Sequence, residues 1–512
     1  MLQLDPASQV PLYQQVCDQI RQLITTGGLT VGERLPPTRE LAARLGVHRT
    51  TVANAYAELT ADGWIEGQVG RGTFVSKGVE PAKPAPSPAP FSASLENGYL
   101  WQMLFADTPV DDPLNSLLAD CCNAASNGKI IAFTSASTAN ALFPVEDFRR
   151  CCSEVLRRDG GALLGLGNSD GYPPLKEFVR QELSREGIRA GDRELLITNG
   201  CQQALDLVRK VFLRPGDVVA MENPVYPGAI QSFNSGGVTC LGVPLTEQGL
   251  NLDVLESILA QQRVRLLLVT PNFHNPTGTT LSLDARKRLL ELAARHHLPV
   301  VEDNIYGALR LRGRELPSLK ALDTFELVIH LNSFSKVGFP GLRVGWVVAN
   351  QQVIDRLRLA KQATDLHTDQ LAQAALAEFG RRGLFARLLK RSCKVYRSRL
   401  VRMEAALERH FPAEVSWAHP EGGMAVWVTL PAGLDAGALL FKARERNVLF
   451  TPGRFFYFQA VQPNTLRLGF ADTNEKQIDR GIEILGALLK RELGQRRRAP
   501  AERAETARVA LV

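Results

Sequence analysis

The run Pro81-Ala82-Lys83-Pro84-Ala85-Pro86-Ser87-Pro88-Ala89-Pro90 constrains this chain first. Proline lacks the amide donor that a helix or a central strand needs, so this density of prolines leaves an extended tether. The tether splits the 512 residues into a short N-terminal piece and a long C-terminal one. That length exceeds one ordinary core, so two or three domains are expected. Residues 77–94, stretched at roughly 3.1 Å each, reach about 56 Å, enough to place the first domain over a neighbouring subunit. The stretch from Leu95 to Asn127 reads as a first helix packing on the following domain and carries no functional signal.

Ahead of the tether the pattern is helical. Leu12, Val16, Ile20, Leu23 and Ile24 share one face, and Gly27-Gly28 ends the helix. Thr38 reads as the N-cap of a second helix with Leu41, Ala42 and Leu45 inward, closed by Gly46. A third helix follows from Arg49 to Asp62, facing Val52, Tyr56 and Leu59 to the core. Two helices across a tight glycine turn form a helix-turn-helix pattern. Its second helix presents His48, Arg49, Thr50 and Thr51 at the end that enters a DNA groove. Trp64-Ile65-Glu66 and Thr73-Phe74-Val75 flank a glycine-rich loop tipped by Arg71, which reads as a two-stranded wing. Arg39 and Arg71 fall where phosphates or a minor groove would lie, although acidic residues offset the arginines and the domain is not a basic block.

After the tether, strands and helices alternate, which argues for an α/β domain with a largely parallel sheet. Val218–Met221, Leu266–Thr270, Val300–Glu302 and Leu327–Leu331 are the strand candidates. The chemistry sits at their ends. Leu331-Asn332-Ser333-Phe334-Ser335-Lys336 runs from a buried strand into a lysine, with Arg343 seven residues on. A lysine held there can form a Schiff base with an aldehyde cofactor, and hydroxyls with an arginine suit its phosphate. Taken alone, such a lysine reads as a surface-loop residue; four further motifs change that reading. Thr198-Asn199-Gly200-Cys201-Gln202 passes through glycine into a helix whose N–H groups can hold a phosphate. Tyr226 follows a strand and can stack on a flat ring. Asn275, before Pro276, carries an amide able to bind a phenolic oxygen, and Glu302-Asp303-Asn304-Ile305-Tyr306 ends an apolar strand with an acid that needs a cation.

Two resemblances join these motifs. Leu35-Pro36-Pro37-Thr38-Arg39-Glu40-Leu41-Ala42, Leu45-Gly46-Val47-His48-Arg49-Thr50-Thr51-Val52 and Gly70-Arg71-Gly72-Thr73-Phe74-Val75 resemble the winged helix of GntR-family regulators, with Pro37 and His48 standing where that family usually has serine. The later motifs resemble a fold-type I pyridoxal phosphate enzyme of the aminotransferase kind. That resemblance implies a large α/β/α lobe and a small C-terminal α+β lobe. It makes Lys336 the Schiff-base lysine, Asp303 the partner of the pyridine nitrogen and Tyr226 the stacking ring. Asn275 and Tyr306 then bind the ring hydroxyl. Gly200, Cys201, Gln202, Ser333, Ser335 and Arg343 hold the phosphate, and Arg467 in Leu466-Arg467-Leu468-Gly469-Phe470 meets a substrate or effector carboxylate.

The combination looks like the MocR subfamily of transcriptional regulators. It implies residues 1–76 as the DNA-binding domain, 77–128 as linker and uncertain helix, 129–493 as the aminotransferase-like domain, and 494–512 as a disordered Arg/Ala-rich tail. It further implies duplex DNA and a small amine, amino acid or vitamer as partners, and a head-to-tail homodimer. The alternative is an active aminotransferase carrying an accessory DNA-binding domain, since the residue set is complete for turnover. A net charge of +7 permits a nucleic-acid partner. The eight cysteines lack metal-site spacing, so no metal is expected. Met1-Leu2-Gln3-Leu4-Asp5-Pro6 has neither a basic nor an apolar signal region, and no apolar run spans a bilayer, so the expected location is the cytoplasm.

Overall fold

The computed structural model describes residues 4–5, 10–68, 72–76, 130–234 and 236–509. Arg71, the tether and the linker assignment for residues 77–128 lie outside the described residues. The chain divides into two compact units, Met1–Val110 and Asp111–Val512.

The first unit holds helices α1 (Leu12–Thr25), α2 (Thr38–Leu45) and α3 (Arg49–Ala61), then an antiparallel pair, β1 (Ile65–Gln68) and β2 (Gly72–Val75). Val16, Ile20, Leu41, Val52, Leu59, Ile65 and Val75 bury into one small core. Thr38 is the first residue of α2 rather than its cap; Pro37 occupies the cap position and no side chain bonds there. Proline's fixed φ suits that helix entry without a cap hydrogen bond. The Tyr56 hydroxyl donates to Pro36 O at 2.8 Å and ties α3 to this entry.

In the second unit, β3 (Ile131–Ala132) leads to β4 (Leu195–Thr198), β5 (Val218–Asn223), β6 (Thr239–Thr246), β7 (Gly249–Leu250), β8 (Leu266–Val269), β9 (Val300–Asp303), β10 (Val328–Ser333) and β11 (Gly345–Val348). The last eight form one sheet in the order β4-β11-β10-β9-β8-β5-β6-β7. Neighbours β6, β5, β8, β9 and β10 run parallel, whereas β11 is antiparallel to both β10 and β4. Strands β4, β8, β9, β10 and β11 are buried at every position, which is why they read as apolar runs and not as alternating ones. Helix α4 (Gly200–Phe212) follows β4, and α5 (Gln351–Asp365) leaves β11.

The smaller lobe is built from β12 (Ser416–Trp417), β13 (Ala425–Thr429), β15 (Thr451–Pro452) and β16 (Thr465–Gly469) in one sheet, while β14 (Val448–Leu449) pairs with β3. The final helix runs Glu475–Val509 and continues through residues expected from the sequence to be a disordered tail. The Ala, Glu and Arg content of that stretch has high intrinsic helix propensity, and a run of charge does not by itself end a helix. No described helix is long and apolar enough to cross a membrane.

Candidate functional site

A parallel sheet leaves its chemistry at the carboxyl ends of its strands, where the loops begin. Here β4, β5, β8, β9 and β10 each end beside one cavity. It is lined by Cys201, Gln202, Leu205, Tyr226, Thr270, Asn275, Asp303, Ile305, Tyr306, Ser335, Lys336 and Arg343. Residues more than a hundred positions apart in sequence therefore share one space.

Lys336 owes its position to its neighbours. Phe334 is buried against Trp346, with ring centroids 5.0 Å apart, and against Phe385 at 5.6 Å. Val337 is buried as well, so the turn is pinned on both sides and the lysine between them projects into the cavity. Its Nζ donates to Ala136 O at 2.8 Å and lies 5.8 Å from the centre of the Tyr306 ring. Burial, and then the Arg467 cation, pull the ammonium pKa down to about 8.

Asp303 ends β9, buried, and its Oδ1 accepts from Ile305 N at 3.2 Å. Burial pushes this carboxyl up to about 6, with the Glu222 charge adding to the rise. Behind it, Glu222 accepts from Thr270 N at 2.8 Å, and His274 Nε2 lies 3.3 Å from Glu222. Tyr306 is buried and its hydroxyl is held well above its ordinary pKa by that burial. Tyr226 is 38% exposed and forms the open wall.

The cavity also has a cationic wall. Helix α4 starts there with no side-chain cap, so its first N–H groups carry the helix's partial positive charge unopposed. Gly200 has φ +77°, and a Cβ on it would stand 2.8 Å from Arg343 Nη2. Arg343 Nη1 also reaches Ser335 Oγ at 3.4 Å. Ser333 departs from expectation. It does not line the cavity; its Oγ accepts from Ser335 N at 3.1 Å and lies 2.9 Å from Val344 O. It ends a strand buried at every position and stands one layer behind, supporting Ser335.

Arg467 lies on β16, one step away. Its Nη1 donates to Asn275 Oδ1 at 2.8 Å and its Nη2 to Thr134 O at 2.7 Å, while Phe456 packs 4.9 Å beneath the guanidinium. The carbonyls of Thr134 and Ala136 could not be anticipated, because a backbone acceptor leaves no mark in a sequence. Thr270 and Ile305 also line the cavity; the sequence places both at strand ends but gives neither a role.

The donor set matches pyridoxal phosphate. A cationic cradle too narrow for a side chain at Gly200, an amine with a depressed pKa and a buried carboxyl meet at one cavity.

In the first unit, His48 is the N-cap of α3 and its Nδ1 accepts from Thr50 N at 3.4 Å. Arg49 and Thr50 are exposed at that helix start, and Thr51 is half-buried. Arg21 is neutralised by Asp18, Glu58 and Asp62. Among the described residues, Arg34, Arg39 and Arg49 are exposed and make no ion pair, and the Arg34 guanidinium lies against the wing glycine Gly72.

Residues 136–485 match the aminotransferase class I and II family, and residues 12–75 match the gntR family of bacterial regulatory proteins. The chain is 43% identical to the 2-aminoadipate transaminase of Thermus thermophilus, over 70% of this chain and 90% of that protein. It is 30% identical to the probable rhizopine catabolism regulatory protein MocR of Rhizobium meliloti, over 95% of each. The solved α-aminoadipate aminotransferase LysN of Thermus thermophilus, complexed with N-(5'-phosphopyridoxyl)-L-leucine, superposes with a TM-score of 0.71. That match covers 77% of this chain and 99% of the other at 40% identity.

Proposed function

The chain belongs to the MocR subfamily of gntR-family regulators, built on an aminotransferase class I and II domain, and on that premise we propose a DNA-binding transcriptional regulator whose pyridoxal phosphate site senses a small amine, amino acid or vitamer. The observation that carries this reading is the convergence of Lys336, Asp303, Asn275, Tyr306, Tyr226 and Arg343 on one cavity, in a chain that also carries a gntR unit.

Each residue has a role in this reading. Arg343, the Ser335 hydroxyl and the first-turn amides of α4 at Gly200, Cys201 and Gln202 hold the phosphate. Asp303 pairs with the ring nitrogen as a carboxylate. Asn275 and Tyr306 face the ring hydroxyl, and Tyr226 covers the ring. When bound, the cofactor supplies an electrophilic aldehyde and an electron sink. Lys336 meets it as a neutral amine, which its depressed pKa favours. Arg467 offers a carboxylate-bearing effector a planar, two-pronged, charge-assisted contact. In the first unit, Arg49, Thr50 and Thr51 read base edges, with His48 holding the start of α3; Arg39 and Arg71 take backbone or minor-groove positions.

A head-to-tail homodimer would present two reading heads to two half-sites. The effector controls DNA binding only by the difference in its affinity for the two states of the regulator. A second reading, a turning-over aminotransferase with an accessory DNA-binding domain, draws on the 43% identity to a transaminase.

One titration separates the two. Full-length protein is titrated with amino acids and amines while cofactor absorbance, keto-acid release and affinity for upstream DNA are followed together. A ligand that changes the absorbance and shifts DNA affinity, with little keto acid formed, supports the regulator. Rapid keto-acid release with unchanged DNA affinity replaces it with the enzyme. Lys336→Ala is expected to lose borohydride-fixed cofactor while keeping its fold and its first unit.

A further inference from the structure

Asparagine is among the best helix N-caps, because its side-chain oxygen accepts from the second or third amide of the first turn. Asn199 stands at the N-cap of α4, yet it makes no such bond. Its Nδ2 donates instead to Asp365 Oδ2 at 2.5 Å. The same oxygen accepts from Gln203 Nε2 at 2.5 Å, and Gln203 Oε1 in turn accepts from Asn199 N at 2.8 Å. The second Asp365 oxygen takes Lys361 Nζ at 2.7 Å, a lysine whose side chain is fully buried. Asp365 is the last residue of α5, a helix that packs against α4. The amides that an Asn199 cap would occupy are those of Cys201 and Gln202, two of the groups assigned above to the phosphate.

We propose that Asp365 is a positioning residue that holds the Asn199 side chain off the start of α4, keeping that helix uncapped and its first-turn amides open to the cofactor phosphate. This rests on the phosphate cradle assigned under the proposed function. Charge alone argues the other way. A carboxylate near a phosphate repels it, and Lys361 is placed to neutralise that charge. Removing the Asp365 charge while leaving Lys361 should therefore tighten phosphate binding if electrostatics dominates, and weaken it if Asn199 swings back to cap the helix. The two accounts differ in sign.

The test uses full-length protein freed of cofactor and titrated separately with pyridoxal phosphate and with pyridoxal, which lacks the phosphate. Asp365→Asn is expected to weaken pyridoxal phosphate roughly ten-fold, the scale of one helix cap, and to leave pyridoxal within about two-fold. Asn199→Ala alone, which cannot cap, is expected to stay within about two-fold of wild type for both. Combined with Asp365→Asn it is expected to restore the lost affinity. That rescue is something a purely structural loss would not give.

Asp365→Asn leaves Lys361 buried without its partner, so Lys361→Met/Asp365→Asn is measured beside it and carries the same expectation if the single variant does not fold. Parallel loss of both ligands, tighter phosphate binding, or no rescue by Asn199→Ala overturns the proposal. A wild-type protein that binds pyridoxal but shows no advantage for the phosphorylated form removes the phosphate cradle itself, and this inference with it.

Discussion

Gly200→Ala tests the cationic wall of the cavity most sharply, because the structure supplies its own control. At φ +77° an alanine's Cβ crowds the backbone carbonyl, at a cost of about 1–2 kcal/mol. The new methyl also stands 2.8 Å from Arg343 Nη2, closer than a carbon and a nitrogen can pack, so the guanidinium must move. Gly216 has φ +86° and nothing within 4 Å of its virtual Cβ. It precedes β5 at the amino end of the sheet, away from the cavity. Gly216→Ala therefore carries the backbone cost without the displacement of Arg343.

Both variants should lose about 1–2 kcal/mol in denaturant unfolding of the cofactor-free protein. They should part in cofactor affinity. A charge-assisted contact is worth about 1.5–3 kcal/mol, so Gly200→Ala should bind pyridoxal phosphate roughly ten- to a hundred-fold more weakly than Gly216→Ala. Equal affinities in the two variants, with equal losses of stability, would refute a phosphate role for Arg343.

Three other outcomes are expected. Cofactor capture by the cofactor-free protein should accelerate as pH rises through about 8, where Lys336 loses its proton, in place of the ordinary value of 10.5; a pH-rate profile checks this, and Arg467→Met should move the midpoint upward because that cation lowers it. Between pH 6 and 8 the cofactor-free protein holds both Lys336 and Asp303 charged against their burial, so its stability should rise as pH climbs from about 8 towards 10.5 and fall as pH climbs from 3.8 through about 6, relative to Lys336→Met and Asp303→Asn variants in urea titrations. In DNA binding, Arg49→Ala should cost about 1–3 kcal/mol and relax preference at one base position, whereas Arg39→Ala should weaken all sequences alike and lower the salt slope by about 1, as measured by binding across a salt series.

What the sequence disclosed follows from where chemistry sits in a parallel sheet. Lys336, Asp303, Tyr226, Asn275 and Gly200 each stand just beyond a buried apolar run, so strand ends and reactive residues are legible together. Ser333, which the resemblance sets on the phosphate beside Ser335, shows how far a motif reaches without its backbone. Its Oγ donates to Val344 O and accepts from Ser335 N, and Ser335 is the hydroxyl that lines the cavity.

Lys361 and Asp365 are invisible in the sequence for a different reason. At i and i+4 on an amphipathic helix they read as an ordinary surface pair, worth a few tenths of a kcal/mol. Burial of Lys361 and the two amide side chains that converge on Asp365 make the pair part of the site, and both are properties of how α5 meets α4. A cap residue that does not cap is likewise ordinary in sequence and informative once its hydrogen bonds are known. The uncapped start of α4 thus links two observations: a helix end left open where an anion belongs, and an asparagine held away from the place its chemistry would otherwise take.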